Sequence, residues 1–223
     1  MREAGSSPPV VAVSGTSGAG KSRLVEEVRR HLAASGMSVA TLHFDEFTDE
    51  SDLPEGSVSG WLARGGQPAE WHSDSLEREL VALSARVEDE GTRRGYGSVV
   101  LVEEPFGRAR PGLDRLVGLS IHLEVPLHVA LARRVRRQFV PSAGALDASA
   151  TADLRAYLDR YLHEGAAFYR AVEAAAVAGA DLVLDGLEPP DLLASQAVAA
   201  ITRRWPDPVS AAGGPPASRP RRR

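Results

Sequence analysis

The 223-residue sequence predicts an α/β domain, a doubly wound five-stranded parallel sheet with helices on both faces and a helical lid. Three observations predict it. The strand-like runs are nearly continuous apolar stretches, as in strands buried on both faces. Helical periodicity separates those runs, and strands alternating with helices imply parallel pairing through crossovers. The first run, Val10-Val11-Ala12-Val13-Ser14, leads directly into a glycine-rich turn and then a helical pattern.

That turn organises the rest of the chain. From Gly15 to Ser22 it reads Gly-Thr-Ser-Gly-Ala-Gly-Lys-Ser and fits G-x-x-x-x-G-K-[ST], the phosphate-binding P-loop. Glycines let the backbone curl so that successive N–H groups point at a phosphate, and the helix adds the positive end of its dipole. The fold class is therefore a P-loop NTPase. Gly15, Thr16, Ser17, Gly18, Ala19, Gly20, Lys21 and Ser22 are the candidate nucleotide-binding residues. Lys21 reaches for the outer phosphates of ATP, and the Ser22 hydroxyl is a candidate Mg²⁺ ligand. Lys21 is the only lysine among 26 basic residues. A compact ammonium fits among phosphate oxygens where a broad guanidinium does not.

Composition sets the bounds. A hydrophobic content of 43% and a charged content of 25% suit a soluble globular chain. The net charge of −4 argues against general nucleic-acid binding. The absence of cysteine excludes disulfides, thiolate metal sites and cysteine nucleophiles. No apolar run approaches the ~20 residues that span a bilayer, and the first residues do not read as a signal peptide, so a cytoplasmic protein without membrane contact is expected.

Taken in order, residues 1–8 read as a disordered lead, 9–205 as a single domain and 206–223 as a disordered Pro/Arg-rich tail. The first strand covers Pro9 to Ser14. The helix after the P-loop places Leu24, Val28 and Leu32 on one face, with Glu26 and Arg30 supporting the other, and Gly36 stops it. A second strand, Ser38 to Phe44, delivers Asp45-Glu46-Phe47 to its carboxyl end. Thr48 to Glu70 is too long for a plain connector and reads as a loop over an acceptor site or a small excursion. Ser73 or Asp74 caps the next helix, which carries Leu76, Leu80, Leu83 and Val87 on one face and closes at Gly91. Strands follow at Ser98 to Val102, ending in Glu103-Glu104, and at Leu119 to Val125. Pro126 opens a helix with Leu127, Leu131 and Val135 on one face and Arg133, Arg134, Arg136 and Arg137 elsewhere. Val140 to Ala152 is Ala/Ser/Gly-rich and reads as a mobile tip, so the lid spans about 133–155. A long helical region carries Leu154, Leu158, Tyr161, Phe168 and Val172. Asp181 to Asp185 makes a fifth strand and Pro190 to Arg204 the last helix.

Ligands of open α/β sheets bind just outside the carboxyl ends of the strands, which makes Asp45 a candidate catalytic residue. It can accept a proton from an acceptor hydroxyl or help hold Mg²⁺ through water. Glu103 ends its apolar run directly and is preferred over Glu104 as the acid that reaches Mg²⁺. Arg133 and Arg137 share a helix face and can supply cations to a transferred phosphoryl group, while at least two of the four arginines make a solvated face. Arg108 and Arg110 are further candidates for the pocket. His72 is a candidate acceptor contact, and His122, inside a strand, reads as structural.

With these residues in view, the sequence resembles the uridine kinase and phosphoribulokinase-like group of P-loop kinases from about Val10 to Ile201. Phe44-Asp45-Glu46-Phe47 resembles that group's Asp-Ser-Phe-Tyr segment, which implies Asp45 as catalytic base. Pro68-Ala69-Glu70-Trp71, Val102-Glu103-Glu104-Pro105, the segment Leu131 to Arg137, and Ala180-Asp181-Leu182-Val183 resemble its substrate segment, its strand ending in Glu-Gly, its Arg-rich lid helix and its late strand. His72 stands where the group has a ribose-contacting Asp, and Thr48 replaces a tyrosine. No base-recognition hairpin lies between Arg86 and Gly97. The resemblance implies an ATP- and Mg²⁺-dependent kinase acting on a hydroxyl of a small metabolite such as a nucleoside or sugar-like compound, and a group that includes homo-oligomers. The competing expectations are a nucleotide-dependent switch or regulatory ATPase without an acceptor, and a nucleic-acid-binding module acting through Arg219 and Arg221 to Arg223.

Overall fold

The computed structural model describes residues 8–47, 56–72, 74–94, 97–140 and 147–206. Five strands, β1 (Val10–Ser14), β2 (Ser38–His43), β3 (Ser98–Glu103), β4 (Leu119–Glu124) and β5 (Leu182–Asp185), form one sheet in the order β2-β3-β1-β4-β5. Every pairing is parallel. Around it lie α1 (Lys21–Ala34), α2 (Val58–Ala63), α3 (Asp74–Arg94), α4 (Leu113–Leu116), α5 (Leu127–Phe139), α6 (Ala148–Arg160), α7 (Ala166–Ala178) and α8 (Pro190–Arg204).

Side-chain alternation sorts the sheet into two cores. Val11 and Val13 of β1 and Val99 and Leu101 of β3 meet α1 and α8 through Leu24, Val28, Leu32, Leu193, Ala197 and Ile201. The alternate residues Val10, Ala12, Val100 and Val102 meet α3 and α4 through Leu76, Leu80 and Leu113. Adjacent strands β1 and β3 therefore lead into helices on opposite faces, α1 and α4. That divergence opens a crevice at their carboxyl ends. No helix among the described residues is long and apolar enough to cross a membrane.

Several expectations change. Glu26 pairs with Arg29 at 2.7 Å and Arg30 pairs with Glu27, so the ion pairs of α1 run i to i+3 and not from Glu26 to Arg30. Gly91 does not close α3, which continues to Arg94; one helical glycine costs about 1 kcal/mol and does not end a helix of this length. Ser73, the alternative cap, lies outside the described residues. The buried positions of α5 are Ala130 and Arg134, while Leu127, Leu131 and Val135 are only half-buried. The tip expected over Val140 to Ala152 is shorter, because Asp147 Oδ1 accepts from the Ala150 N–H at 2.7 Å and starts α6 at Ala148. Residues 141–146 of that tip lie outside the described residues, as do the expected lead 1–7 and the tail from 207. Between α6 and α7 the chain makes one π-helical turn, Tyr161–Gly165.

The stretch after β2 contains structure of its own. Ser57 Oγ caps α2 by accepting from the Gly60 N–H at 3.1 Å, and a 3-10 turn follows at Pro68–Glu70. Trp61 anchors it. Its ring is fully buried, and its indole N–H donates to the Gln67 carbonyl at 2.9 Å. Residues 48–55 of the expected loop lie outside the described residues.

Candidate active site

The P-loop follows β1 as the sequence predicts, and α1 begins at Lys21 with Gly20 as a cap that makes no side-chain hydrogen bond. Two of its glycines are required by close packing. Gly15 has φ 144°, and a Cβ there would lie 2.6 Å from the Leu123 carbonyl oxygen. Gly18 has φ 88°, and a Cβ would lie 2.5 Å from the Ala130 carbonyl oxygen of α5. The loop is thus pressed between the end of β4 and α5, and only glycine permits both the approach and the left-handed backbone.

A cleft of about 350 Å³ opens beside the loop. Gly15, Thr16, Ser17, Lys21 and Ser22 form one side; His43, Asp45 and Glu103 form the floor and rim; Trp71, Phe106, Phe168 and Tyr169 form an aromatic wall. Strand alternation explains the floor. In β3, residues 99, 101 and 103 share the face that meets α1, so Glu103 points toward Lys21. Its register partner His43 ends β2 on the same face. Glu103 Oε1 lies 3.5 Å from Lys21 Nζ, and Glu103 Oε2 lies 2.9 Å from His43 Nδ1. Asp45 is exposed at the rim, two residues beyond His43.

Glu104 has the opposite parity and the opposite fate. It is fully buried, accepts from the Phe106 N–H at 3.0 Å and forms an ion pair with Arg110, itself 1% exposed. Burial raises the Glu104 carboxyl above its ordinary value, with the Arg110 charge and the Phe106 N–H pulling the other way. The Arg110 guanidinium lies 4.5 Å from the Phe44 ring centre, and its Nη1 donates to the His72 carbonyl at 3.3 Å. Arg108 pairs with Asp181. Neither arginine lines the cleft, so the expectation that they do is corrected: each is held by a carboxylate. His72 contributes its backbone to Arg110, and its side chain is exposed. His122 is fully buried, with Nδ1 3.0 Å from Ser14 Oγ and Nε2 3.3 Å from Glu173 Oε1; a buried imidazole with both nitrogens partnered is structural, as expected.

The arginines of α5 divide by depth. Arg133 Nη1 donates to the Ala19 carbonyl at 2.9 Å and Nη2 to Gly186 at 3.3 Å. It borders a second groove of about 470 Å³ on the far end of the P-loop, lined also by Gly18, Gly20, Leu187 and Pro189. Arg134, 4% exposed, donates from Nη1 to the Ser17 carbonyl at 2.7 Å, with its guanidinium 4.0 Å from the Tyr169 ring centre. Among the described residues, its Nε and Nη2 are buried without a hydrogen-bond partner. Arg137 is exposed on the outer side of α5. Burial raises the Tyr169 hydroxyl above its ordinary value, against the pull of Arg134.

The sequence pointed to neither His43 nor the aromatic wall, and it named Arg134 among the α5 arginines without its burial against Ser17 and Tyr169. His43 was legible as the residue two before Asp45, at the carboxyl end of β2. Trp61, Trp71, Phe106 and Phe168 form a mutually packed cluster, with centroids 5.6–6.5 Å apart, in a chain with only three Trp and five Phe. Aromatic scarcity was the available signal.

The residues present suit a bound nucleotide and Mg²⁺. The Thr16 hydroxyl is buried in the P-loop without a hydrogen-bond partner among the described residues, Ser22 is exposed to the cleft, and Glu103 stands within it. Among the described residues, no cluster of three or more His, Asp or Glu could hold a metal. Mg²⁺ ordinarily takes one or two protein ligands and fills the rest of its shell with phosphate and water.

No family model matches the chain. It is 31% identical over 134 residues to an adenylyl-sulfate kinase of Myxococcus xanthus (strain DK1622), a match over 57% of this chain and 63% of that relative. The chain thus spans less than two thirds of the curated relative it matches. Among solved structures it superposes on a protein of Silicibacter sp. TM1040 described as a fructose transport system kinase, with a TM-score of 0.52 and 24% identity, over 82% of this chain and 93% of that one. Sheet order, P-loop and these likenesses together give this chain the fold of the P-loop kinases.

Proposed function

We propose that the protein is an ATP- and Mg²⁺-dependent kinase that transfers the γ-phosphoryl group to a hydroxyl of a small molecule. The observation that carries this reading is that Asp45 borders the same cleft as Lys21 and Ser22. A phosphate-binding loop alone serves a switch as well as a transferase; a carboxylate across the cleft from it gives an acceptor hydroxyl a base. The likeness to an adenylyl-sulfate kinase supports the same reaction class.

In this reading the P-loop backbone and Lys21 hold the phosphates, and the second groove beside Arg133 takes the base of the nucleotide. Ser22 and Glu103 are the residues that would hold Mg²⁺, which supplies charge neutralisation on the phosphates. Asp45 orients the acceptor hydroxyl and takes its proton as the new bond to phosphorus forms. Arg133 and Arg134 brace the loop from α5, and residues 133–155 act as the lid of a domain spanning 9–205. Arg137, on the outer face, contributes only if that lid closes. The resemblance of the Asp45, Glu103 and α5 segments to the uridine kinase and phosphoribulokinase-like group supports this reading.

The test is ADP formation from ATP and Mg²⁺ against a panel of nucleosides, sugars and vitamin-like alcohols. Acceptor-dependent ADP with phosphorylated product is expected. ADP release that no added compound alters would favour a nucleotide switch instead.

A further inference from the structure

We infer that the acceptor taken by this cleft carries no anionic group: it is an uncharged alcohol with a planar or apolar face. The inference rests on the kinase reading above and concerns what the same cleft admits.

A bound anion removed from water needs a cation or several convergent donors. Among the described residues lining the cleft, the one permanent cation is Lys21, which already faces Glu103 at 3.5 Å and belongs to the phosphate-binding loop. Three arginines lie close by, and each is committed elsewhere. Arg110 is held under the cleft by Glu104, the His72 carbonyl and the face of Phe44. Arg108 is held by Asp181, which also accepts from the Ser120 N–H at 2.8 Å. Arg134 donates to the Ser17 carbonyl and stacks on Tyr169, and with its Nε and Nη2 buried it does not line the cleft. Arg160 lines a separate groove that shares Phe168 and Tyr169 with the cleft, and Glu164 lines that groove too.

The sequence following Asp45 adds Asp49, Glu50, Asp52 and Glu55 and no Lys or Arg before Arg64. Beyond the P-loop, the side chains lining the cleft include the carboxylates of Asp45 and Glu103, the His43 imidazole with its Nδ1 2.9 Å from Glu103 Oε2, and the rings of Trp71, Phe106, Phe168 and Tyr169. Like charges repel an anion, and the negative faces of aromatic rings give it no compensation. A planar or apolar surface, by contrast, is what such a wall buries well.

The test compares matched twins on the full chain, with the nucleotide site filled by a non-hydrolysable ATP analogue and Mg²⁺: a nucleoside and its monophosphate, a sugar and its monophosphate, pantothenol and pantothenate. Binding is read by tryptophan fluorescence, since Trp71 lines the cleft, with Trp71→Phe to assign the signal. The uncharged member of at least one pair is expected to bind at least about tenfold more tightly than its anionic twin. An anionic member that binds as tightly as its uncharged twin, or a panel in which no uncharged member binds, overturns the inference. ADP formation is then measured separately with ATP. The expected preference without any phosphoryl transfer would leave the charge inference standing and remove the kinase reading.

Discussion

Arg134 Nη1 donates a 2.7 Å hydrogen bond to the carbonyl of Ser17, joining α5 to the P-loop across 117 residues of chain. The same guanidinium lies over Tyr169 of the aromatic wall. One buried side chain therefore touches both the P-loop and the aromatic wall of the cleft. Arg134→Met is expected to lower stability by about 1–3 kcal/mol, the range for losing a buried hydrogen bond to a charged group. It is also expected to weaken nucleotide binding severalfold. Urea unfolding and nucleotide titration check both; unchanged nucleotide affinity in a folded variant removes Arg134 from any role in shaping the loop.

Asp45→Asn keeps the shape and removes the carboxylate proposed as the base. Nucleotide affinity is expected to stay within about twofold, while acceptor-dependent ADP formation falls by about 10²–10⁴, the usual contribution of a general base. Wild-type turnover in this variant would withdraw Asp45 from proton transfer.

Glu103 faces two partners, Lys21 and His43, before any nucleotide is considered. Glu103→Gln separates its proposed role at Mg²⁺ from a purely structural one. If it helps hold Mg²⁺, the gain in nucleotide affinity on adding Mg²⁺ shrinks by about tenfold, or ~1.4 kcal/mol. Affinity measured in EDTA should not weaken, because Lys21 is released from a competing carboxylate. Loss in EDTA equal to the loss with Mg²⁺ would assign Glu103 to structure.

Glu104 and Arg110 form a fully buried pair, and breaking such a pair leaves an uncompensated charge. Arg110→Met is expected to cost about 3–5 kcal/mol at neutral pH. The pH trend has a definite sign. Burial holds the Glu104 carboxyl above its ordinary 4.5 in the folded state, so the unfolded chain releases that proton first. Stability from this group is greatest below about 4.5 and falls as pH rises toward the folded value. Removing Arg110 raises the folded value further, so the variant should be least stable near pH 8 and partly rescued near pH 5. Replacing both residues by Met should recover most of the loss and flatten the profile. Thermal unfolding across that range decides it; a variant that gains stability with rising pH contradicts the assignment.

Much of the molecule was legible before any coordinates. The apolar runs of β1 and β3 and the P-loop between β1 and α1 require only local pattern and backbone chemistry, so strand order aside, the fold followed from them. α8 matched its expected limits because Pro190 and the apolar spacing after it mark a helix with little ambiguity. Asp45 and Glu103 were predicted from their strand-end positions, and both line the cleft.

Depth and pairing were a different matter. Apolar spacing on α5 pointed to Leu127, Leu131 and Val135, yet Ala130 and Arg134 are the buried positions, because the side of α5 that meets the loop is set by the close approach of Ala130 to Gly18. A charged residue enters such a site only when its partners, the Ser17 carbonyl and Tyr169, arrive from distant parts of the chain. The neighbours Glu103 and Glu104 look alike in sequence; strand parity sends one to Lys21 and the other beneath the cleft to Arg110. The sequence by itself determined that a phosphate-binding loop sits at the head of a parallel sheet, since that rests on contacts between near neighbours. Which arginines reach the loop, and which are held away from the cleft, only the tertiary structure decided, since those charges are set by contacts between residues far apart in the chain.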